Sequence, residues 1–293
     1  MIQEKTVFGV VGGDRRQIEL ASSLAADGYT VYACGFEKAR LDRRLDSRLD
    51  SRVEQVPVAE LAQKSEVVIL PLPVTSDGIH LHAPFSEEPV LMGEGFASLF
   101  LGKTVYGGMT ERLYRTSELW EEISVFDYFH REELAVRNAV PTAEGAIQIA
   151  MEEFPATING SRCLVAGFGR IGKILAWMLR GLGAEVTVSA RKPEDLAWIG
   201  QMGYRAVHTR EPGGGYDLVF NTIPAMVFTR SVLSQIAPGT LLLDLASAPG
   251  GVDREAAEKL GIRVIPALSL PGKVAPKTAG EIIKETIYHM MEE

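Results

Sequence analysis

The glycines of Gly167-Phe-Gly169-Arg170-Ile171-Gly172 carry the clearest chemical meaning in this chain. They follow the apolar run Arg162-Cys-Leu-Val-Ala166 and open an amphipathic segment that ends at Gly181-Leu-Gly183. A GxGxxG placed between a strand and a helix binds a pyrophosphate. Gly167 turns the strand end, Gly169 lets backbone amides approach the phosphates, and Gly172 lets the helix pack against the strand. The phosphates then meet the positive N-terminus of the helix. That helix is expected over 171–182, and Ala184-Glu-Val-Thr-Val-Ser-Ala190 supplies a second alternating strand, completing a βαβ unit.

The end of that second strand sets the choice of dinucleotide. An NAD enzyme carries an acidic residue about 20 positions past the glycines, where it takes the ribose 2′-hydroxyl. This chain has Ser189-Ala-Arg191-Lys192 there. A guanidinium accepts a 2′-phosphate bidentately, and Lys192 adds a second positive charge. NADP is therefore the expected cofactor, with NAD held without a 2′ contact as the alternative. In open α/β sheets ligands lie outside the carboxyl ends of the strands. The turns Asn221-Thr222-Ile-Pro224 and Asp244-Leu-Ala-Ser247 follow apolar strands, so Asn221, Thr222, Pro224 and Ser247 are the further cofactor contacts expected.

The first half has a different βα turn. Thr6-Val-Phe-Gly-Val-Val11 reads as a buried strand, and Gly12-Gly13-Asp14-Arg15-Arg16 opens a helix running to about Asp27. Helix amides and two guanidinium groups converging on one turn suit an anionic substrate. The competing reading is a helix capped by Asp14, with Arg15 and Arg16 in water. Thr75 and Ser76 follow the next strong strand, Glu66-Val-Val-Ile-Leu-Pro-Leu-Pro73, and are candidate substrate contacts. His80 and His82 alternate just beyond Asp77-Gly78. An i, i+2 pair without Cys or carboxylate partners is a poor zinc arrangement, and no metal site is expected. Proton transfer remains open to both.

Strands are also expected at Thr30–Gly35, Thr104–Gly107, Asp217–Phe220, Thr240–Leu245 and Ile262–Ile265. The densely charged stretch Glu37–Arg52 reads as a solvated helix or loop. Between the halves, Arg131–Met151 has near-helical spacing interrupted at Pro141, where a new helix is expected to start. The fold class is thus α/β, with two open parallel-sheet domains joined by a helical hinge. Residues 1–140 form the first, residues 141–275 a Rossmann domain, and an amphipathic helix over Thr278–Met291, within 276–293, returns to the first domain.

Composition agrees with such an enzyme. The 293 residues are enough for two buried cores, and Cys34 and Cys163 both fall within expected strands as small core residues. The formal charge of −8 argues against nucleic acid, although local cationic pockets can still hold small anions. No apolar run reaches membrane-spanning length and the start lacks a secretory pattern, so a cytoplasmic protein with no membrane partner is expected.

The order of these motifs resembles the group of D-2-hydroxyacid dehydrogenases, alanine dehydrogenases and transhydrogenases. The chain departs from the hydroxyacid enzymes at their catalytic residues: Ser247 stands where they carry an Arg, and Pro276-Lys277 where they carry a Pro-His. Asn221-Thr-Ile-Pro224, Asp244–Asp253 and Leu270-Pro-Gly-Lys-Val-Ala-Pro-Lys-Thr-Ala-Gly280, together with Gly12–Arg16 and Leu70–Thr75, more closely resemble the dipicolinate synthase A-subunit family. That resemblance implies sporulating bacteria, the mother-cell cytoplasm and a separate flavoprotein-like B-subunit. It also implies NADP-linked oxidation of a dihydro- or hydroxytetrahydrodipicolinate to pyridine-2,6-dicarboxylate. A homo-oligomer is expected. In such a reaction Gly12, Gly13, Arg15, Arg16 and Lys277 are the carboxylate candidates, and Asp14 is the candidate base, with Lys277 beside it as a catalytic candidate. Two alternatives stay open: a cofactor-binding regulatory or scaffold component without its own catalysis, and a stand-alone dehydrogenase for another small carboxylate.

Overall fold

A computed structural model describes residues 6–39, 49–247 and 250–293. Among them the first sheet contains β1 (Val7–Val11), β2 (Thr30–Cys34), β3 (Val53–Gln55), β4 (Val67–Ile69), β5 (Thr104–Gly107) and β6 (Ser124–Asp127). Its helices are α1 (Arg15–Ala26), α2 (Val58–Lys64) and α3 (Glu94–Ala97). The long α4 (Glu132–Glu153) leads to β7 (Arg162–Ala166), α5 (Arg170–Gly181), β8 (Glu185–Ala190), α6 (Pro193–Gln201), β9 (Arg205–His208) and β10 (Leu218–Asn221). Then come α7 (Arg230–Leu233), β11 (Leu241–Asp244), α8 (Arg254–Lys259), β12 (Arg263–Pro266), α9 (Leu270–Val274) and α10 (Pro276–Glu292). The chain divides into two units, Met1–Arg137 with Ala275–Glu293, and Asn138–Val274.

Both sheets have six parallel strands, in the orders β3-β2-β1-β4-β5-β6 and β12-β11-β10-β7-β8-β9. Alternating side chains explain why each sheet is covered on both faces. Phe8 and Val10 of β1 pack with Ile18, Leu24, Ile283 and Ile287, whereas Val11 packs on the opposite face with Leu61, Val68 and Trp120. In the second sheet, Cys163 and Val165 join Leu175 and Leu179 of α5, while Leu164 and Ala166 join Phe228 and Leu233. Burial pushes the thiols of Cys34 and Cys163 up to about 11, so both stay protonated at neutral pH.

Helices α1 and α10 pack side by side and run in the same direction. Gly280 lies against the start of α1, where an added Cβ would stand 2.7 Å from the Arg16 carbonyl oxygen. Further along, the Lys284 ammonium donates to Ser23 Oγ at 2.6 Å and Asp27 Oδ2 at 2.7 Å, and the Tyr288 hydroxyl donates to Asp27 Oδ2 at 2.9 Å. The positive ends of both helices therefore lie on the same side of the first unit.

Two expectations about elements change. Pro141 does not start a helix: α4 runs unbroken through it. Proline removes only one ladder bond, the Thr142 hydroxyl donates to the Asn138 carbonyl at 2.6 Å, and Ala143, Ala146, Ile147 and Ala150 anchor the helix in the second core. Strands β3, β6 and β9 are additions, and all three lie at sheet edges. Of the charged stretch 37–52, residues 40–48 lie outside the described residues.

Candidate functional site

Each sheet reverses its strand order beside a central strand, at β1/β4 in the first and β7/β10 in the second. Those two reversals are where an open α/β sheet leaves a crevice outside its strand ends. Many of the sequence candidates follow these four strands, whereas Ser189, Arg191 and Lys192 lie at the end of β8, Ser247 follows β11 and Lys277 is on α10.

In the second unit the glycines are used as their spacing implies. Gly167 has φ +106°, and a Cβ there would stand 2.4 Å from Thr222 Oγ1. A Cβ on Gly172 would stand 2.2 Å from the Gly167 carbonyl oxygen, so only glycine lets α5 approach the strand end. At Gly169 a Cβ meets nothing within 4 Å, which leaves open space over the helix start. Gly169 caps α5 without a side-chain hydrogen bond, and the first helical bond is Lys173 N–H to the Gly169 carbonyl at 3.0 Å. The amides of Arg170, Ile171 and Gly172 thus precede the helical ladder and suit an anionic ligand. These residues fit a dinucleotide pyrophosphate.

The other second-unit candidates divide. Arg191 and Lys192 are exposed just past β8, with Lys192 as the N-cap of α6 and 3.9 Å from Glu194. Pro224 and Ser247 are exposed after their strands. Ser189, however, is buried, and its hydroxyl lies 3.4 Å from Thr209 Oγ1. Asn221 is fully buried: its amide donates to Asp244 Oδ1 at 2.8 Å and its carbonyl accepts Ile223 N–H at 3.1 Å. Thr222 donates its hydroxyl to the Ala166 carbonyl at 2.9 Å. Ser189, Asn221 and Thr222 therefore hold the strand-end loops in place, because their polar atoms are already engaged within the protein.

In the first unit both sequence readings of the Gly12–Arg16 turn need correction. Gly12 and Gly13 have positive φ, but their amides donate to the Cys34 and His82 carbonyls, each at 2.8 Å, so they are not free for a carboxylate. Asp14 does cap α1, accepting Arg16 N–H at 3.0 Å. Its carboxylate also accepts from Arg16 Nε at 2.9 Å and Nη2 at 2.8 Å. Asp14 is thus engaged both as the α1 cap and in an ion pair with Arg16. Arg16 is not in water: its side chain is 11% exposed, and Nη2 also donates to the Leu72 carbonyl. The turn after β1 is thereby tied to the segment after β4.

Thr75 is buried and its hydroxyl is used in its own turn, donating to Asp77 Oδ1 at 3.1 Å and accepting Gly78 N–H at 2.9 Å. Ser76 is exposed on a cavity of about 450 Å³ that His80 and His82 also line. Lys277 is exposed in the first turn of α10. Asp77 holds His80 Nδ1 at 2.8 Å, and backbone and side-chain donation from His80 keeps the Asp77 carboxyl well below the usual range. The sequence does not show that His82 is held against Gly13, or that buried Gln17 and Tyr128 pack beneath the turn. Those contacts join positions far apart in the chain and leave no local pattern.

Comparison with known proteins gives a consistent result. The family described as the N-terminal domain of the dipicolinate synthase A-subunit matches residues 7–129. The chain is 34% identical over 290 residues to the dipicolinate synthase A-subunit of Bacillus subtilis, covering 98% of this chain and 96% of that protein. The crystal structure of the B. subtilis protein aligns at 33% identity with a TM-score of 0.83, over 100% of this chain and 97% of that one. The dipicolinate synthase A-subunit from Bacillus halodurans aligns at 31% with a TM-score of 0.84, over 100% and 99%. A transhydrogenase from Sinorhizobium meliloti, at 16% identity and TM-score 0.69 over 97% and 93%, shares the fold.

Proposed function

The chain belongs to the dipicolinate synthase A-subunit family, and from that premise we propose that it oxidises a cyclic dihydrodipicolinate to pyridine-2,6-dicarboxylate with NADP. The observation that carries the reading is the open start of α5 over Gly169, which has no side-chain cap and suits a pyrophosphate. When bound, the nicotinamide supplies a two-electron hydride acceptor.

The chemistry balances simply. A dihydrodipicolinate loses one hydride and one proton, leaving the aromatic pyridine dicarboxylate. A 4-hydroxytetrahydrodipicolinate loses water as well. Aromatisation supplies the driving force, so the protein has to hold a dianion, orient its ring and take a proton. Gly167, Gly169 and the amides of Arg170, Ile171 and Gly172 hold the pyrophosphate. Arg191 and Lys192 hold the 2′-phosphate, and Pro224 and Ser247 contact the nicotinamide end. In the first unit Arg15, Arg16 and Lys277 attract the carboxylates, with Arg16 presenting Nη1, the nitrogen outside its bonds to Asp14 and Leu72. Ser76 contacts the substrate from the loop after β4.

A flavoprotein-like B-subunit is the partner, and the reaction belongs to the cytoplasm of a sporulating cell. No described helix is long and apolar enough to cross a membrane. NADPH formation from freshly generated dihydrodipicolinate, followed with and without the B-subunit, tests the reading. Turnover by this chain supports it. Cofactor binding without turnover under either condition makes the chain a scaffold component instead.

A further inference from the structure

The first unit contains a titratable group at its strand-order reversal that the substrate contacts do not use. His82 is clamped by its own backbone between the two loops that define this crevice. Its N–H donates to the Val74 carbonyl, after β4, at 2.9 Å, and its carbonyl accepts Gly13 N–H, after β1, at 2.8 Å. The register fixes its position: Thr75 and Leu81 pair as an antiparallel bridge beside it. Its side chain is half-buried, close enough to Asp14 and Arg16 to feel both charges.

The neighbouring groups are already engaged within the protein. Asp14 is committed to the α1 cap and to Arg16. His80 is held through Nδ1 by Asp77. The phenol of Tyr128 is fully buried, which raises its pKa far above the usual value, and its hydroxyl donates to the Leu70 carbonyl at 3.0 Å. Among the described residues the His82 ring makes no such hydrogen bond.

We propose that His82 accepts the ring proton lost during oxidation, a role that rests on the dehydrogenase reading above. One ring C–H bond breaks with both electrons leaving as hydride to the oxidised nicotinamide. The other proton passes to a ring nitrogen of His82, and its bonding pair stays behind to complete the aromatic sextet. The imidazolium then returns the proton to water.

Burial depresses the His82 pKa, Asp14 opposes that shift and Arg16 reinforces it, so the imidazole is neutral at pH 7 and has a ring nitrogen lone pair to accept a proton. Lys38, Asp77, His80, Glu87 and Glu88 line the same cavity and complete its charged surroundings. A bound dicarboxylate adds negative charge beside the imidazole and raises its affinity for a proton.

The test uses the full chain with the B-subunit and the variant His82→Gln. The expected result is a loss in kcat/KM of about 10²- to 10⁴-fold, disappearance of the acid limb of the pH profile, and unchanged NADP affinity. Calorimetry of dipicolinate binding to the chain alone, in two buffers of different ionisation enthalpy near pH 6, gives a readout independent of turnover. Wild type should take up protons on binding and His82→Gln should not. A variant that binds NADP and dipicolinate normally and keeps the wild-type pH profile or proton uptake overturns the assignment of His82. Failure of the wild-type chain to turn over, with its proton uptake intact, overturns the dehydrogenase reading instead.

Discussion

In the proposed reading, cofactor choice rests on one guanidinium. Arg191 is exposed directly after β8, where an acidic residue would favour NAD. Arg191→Asp should weaken NADPH binding tenfold or more relative to NADH, through loss of a charge-assisted contact and repulsion of the 2′-phosphate. Fluorescence titration of both cofactors checks this, and an equal loss for both would contradict it. On the substrate side, Arg16→Ala should raise KM or lower turnover by the equivalent of about 1.5 to 3 kcal/mol while NADP affinity stays the same. Steady-state kinetics beside a cofactor titration separates the two effects. The turn and close approach at Gly167 and Gly172 were legible because they depend on residue type and spacing alone. Ser189 and Asn221 were misleading for the opposite reason. A polar residue at a strand end looks the same in sequence whether it faces a ligand or, as with Asn221 and Asp244, clips two strands together.

Individual residues act only where the helices place them. The start of α5 depends on the absence of a side chain at position 169, where there is room for one. Gly169→Val should therefore fold normally, by circular dichroism and melting, yet lose most of its dinucleotide affinity by calorimetry. Retained affinity would place the cofactor elsewhere. The pairing of α1 with α10 aligns the start of α1 and depends on Lys284, whose ammonium is largely buried between Asp27 and Glu281. Burial alone would lower its pKa, but hydrogen bonds to Asp27 and Glu281 outweigh that and raise it. A raised folded-state value means the stabilisation is complete below the ordinary lysine pKa of about 10.4 and fades as pH rises through the folded value. Lys284→Met should lower stability by roughly 2 kcal/mol at pH 8, and the gap from wild type should narrow above pH 11 in chemical denaturation. Periodicity revealed the buried central strands and α10, whereas the edge strands β3, β6 and β9 are short and half-exposed and lack an apolar run. Pro141 misled because tertiary packing of the alanine face overrides its local cost.

At the scale of the whole chain, the two sheets share one topology, and the proposed reading gives them different tasks. One reversal of strand order leaves a helix start without a side-chain cap after β7, and at the other Arg16 and His82 tie the loops after β1 and β4 together. The difference between the halves was visible in the sequence, since only the second carries a GxGxxG. The internal bonding of the first-half turn was not, because it joins residues 12–16 to carbonyls at positions 34, 72 and 82. If this chain itself moves a hydride from a cyclic dicarboxylate to NADP, the transferred atom must be found in the cofactor. Substrate deuterated at its saturated ring carbon, converted in a single turnover by the chain with the B-subunit present, tests that most directly by mass spectrometry of the cofactor. Hydride transfer by this chain predicts one deuterium in the nicotinamide ring for each dipicolinate formed, and dipicolinate appearing without deuterium in the nicotinamide would contradict it.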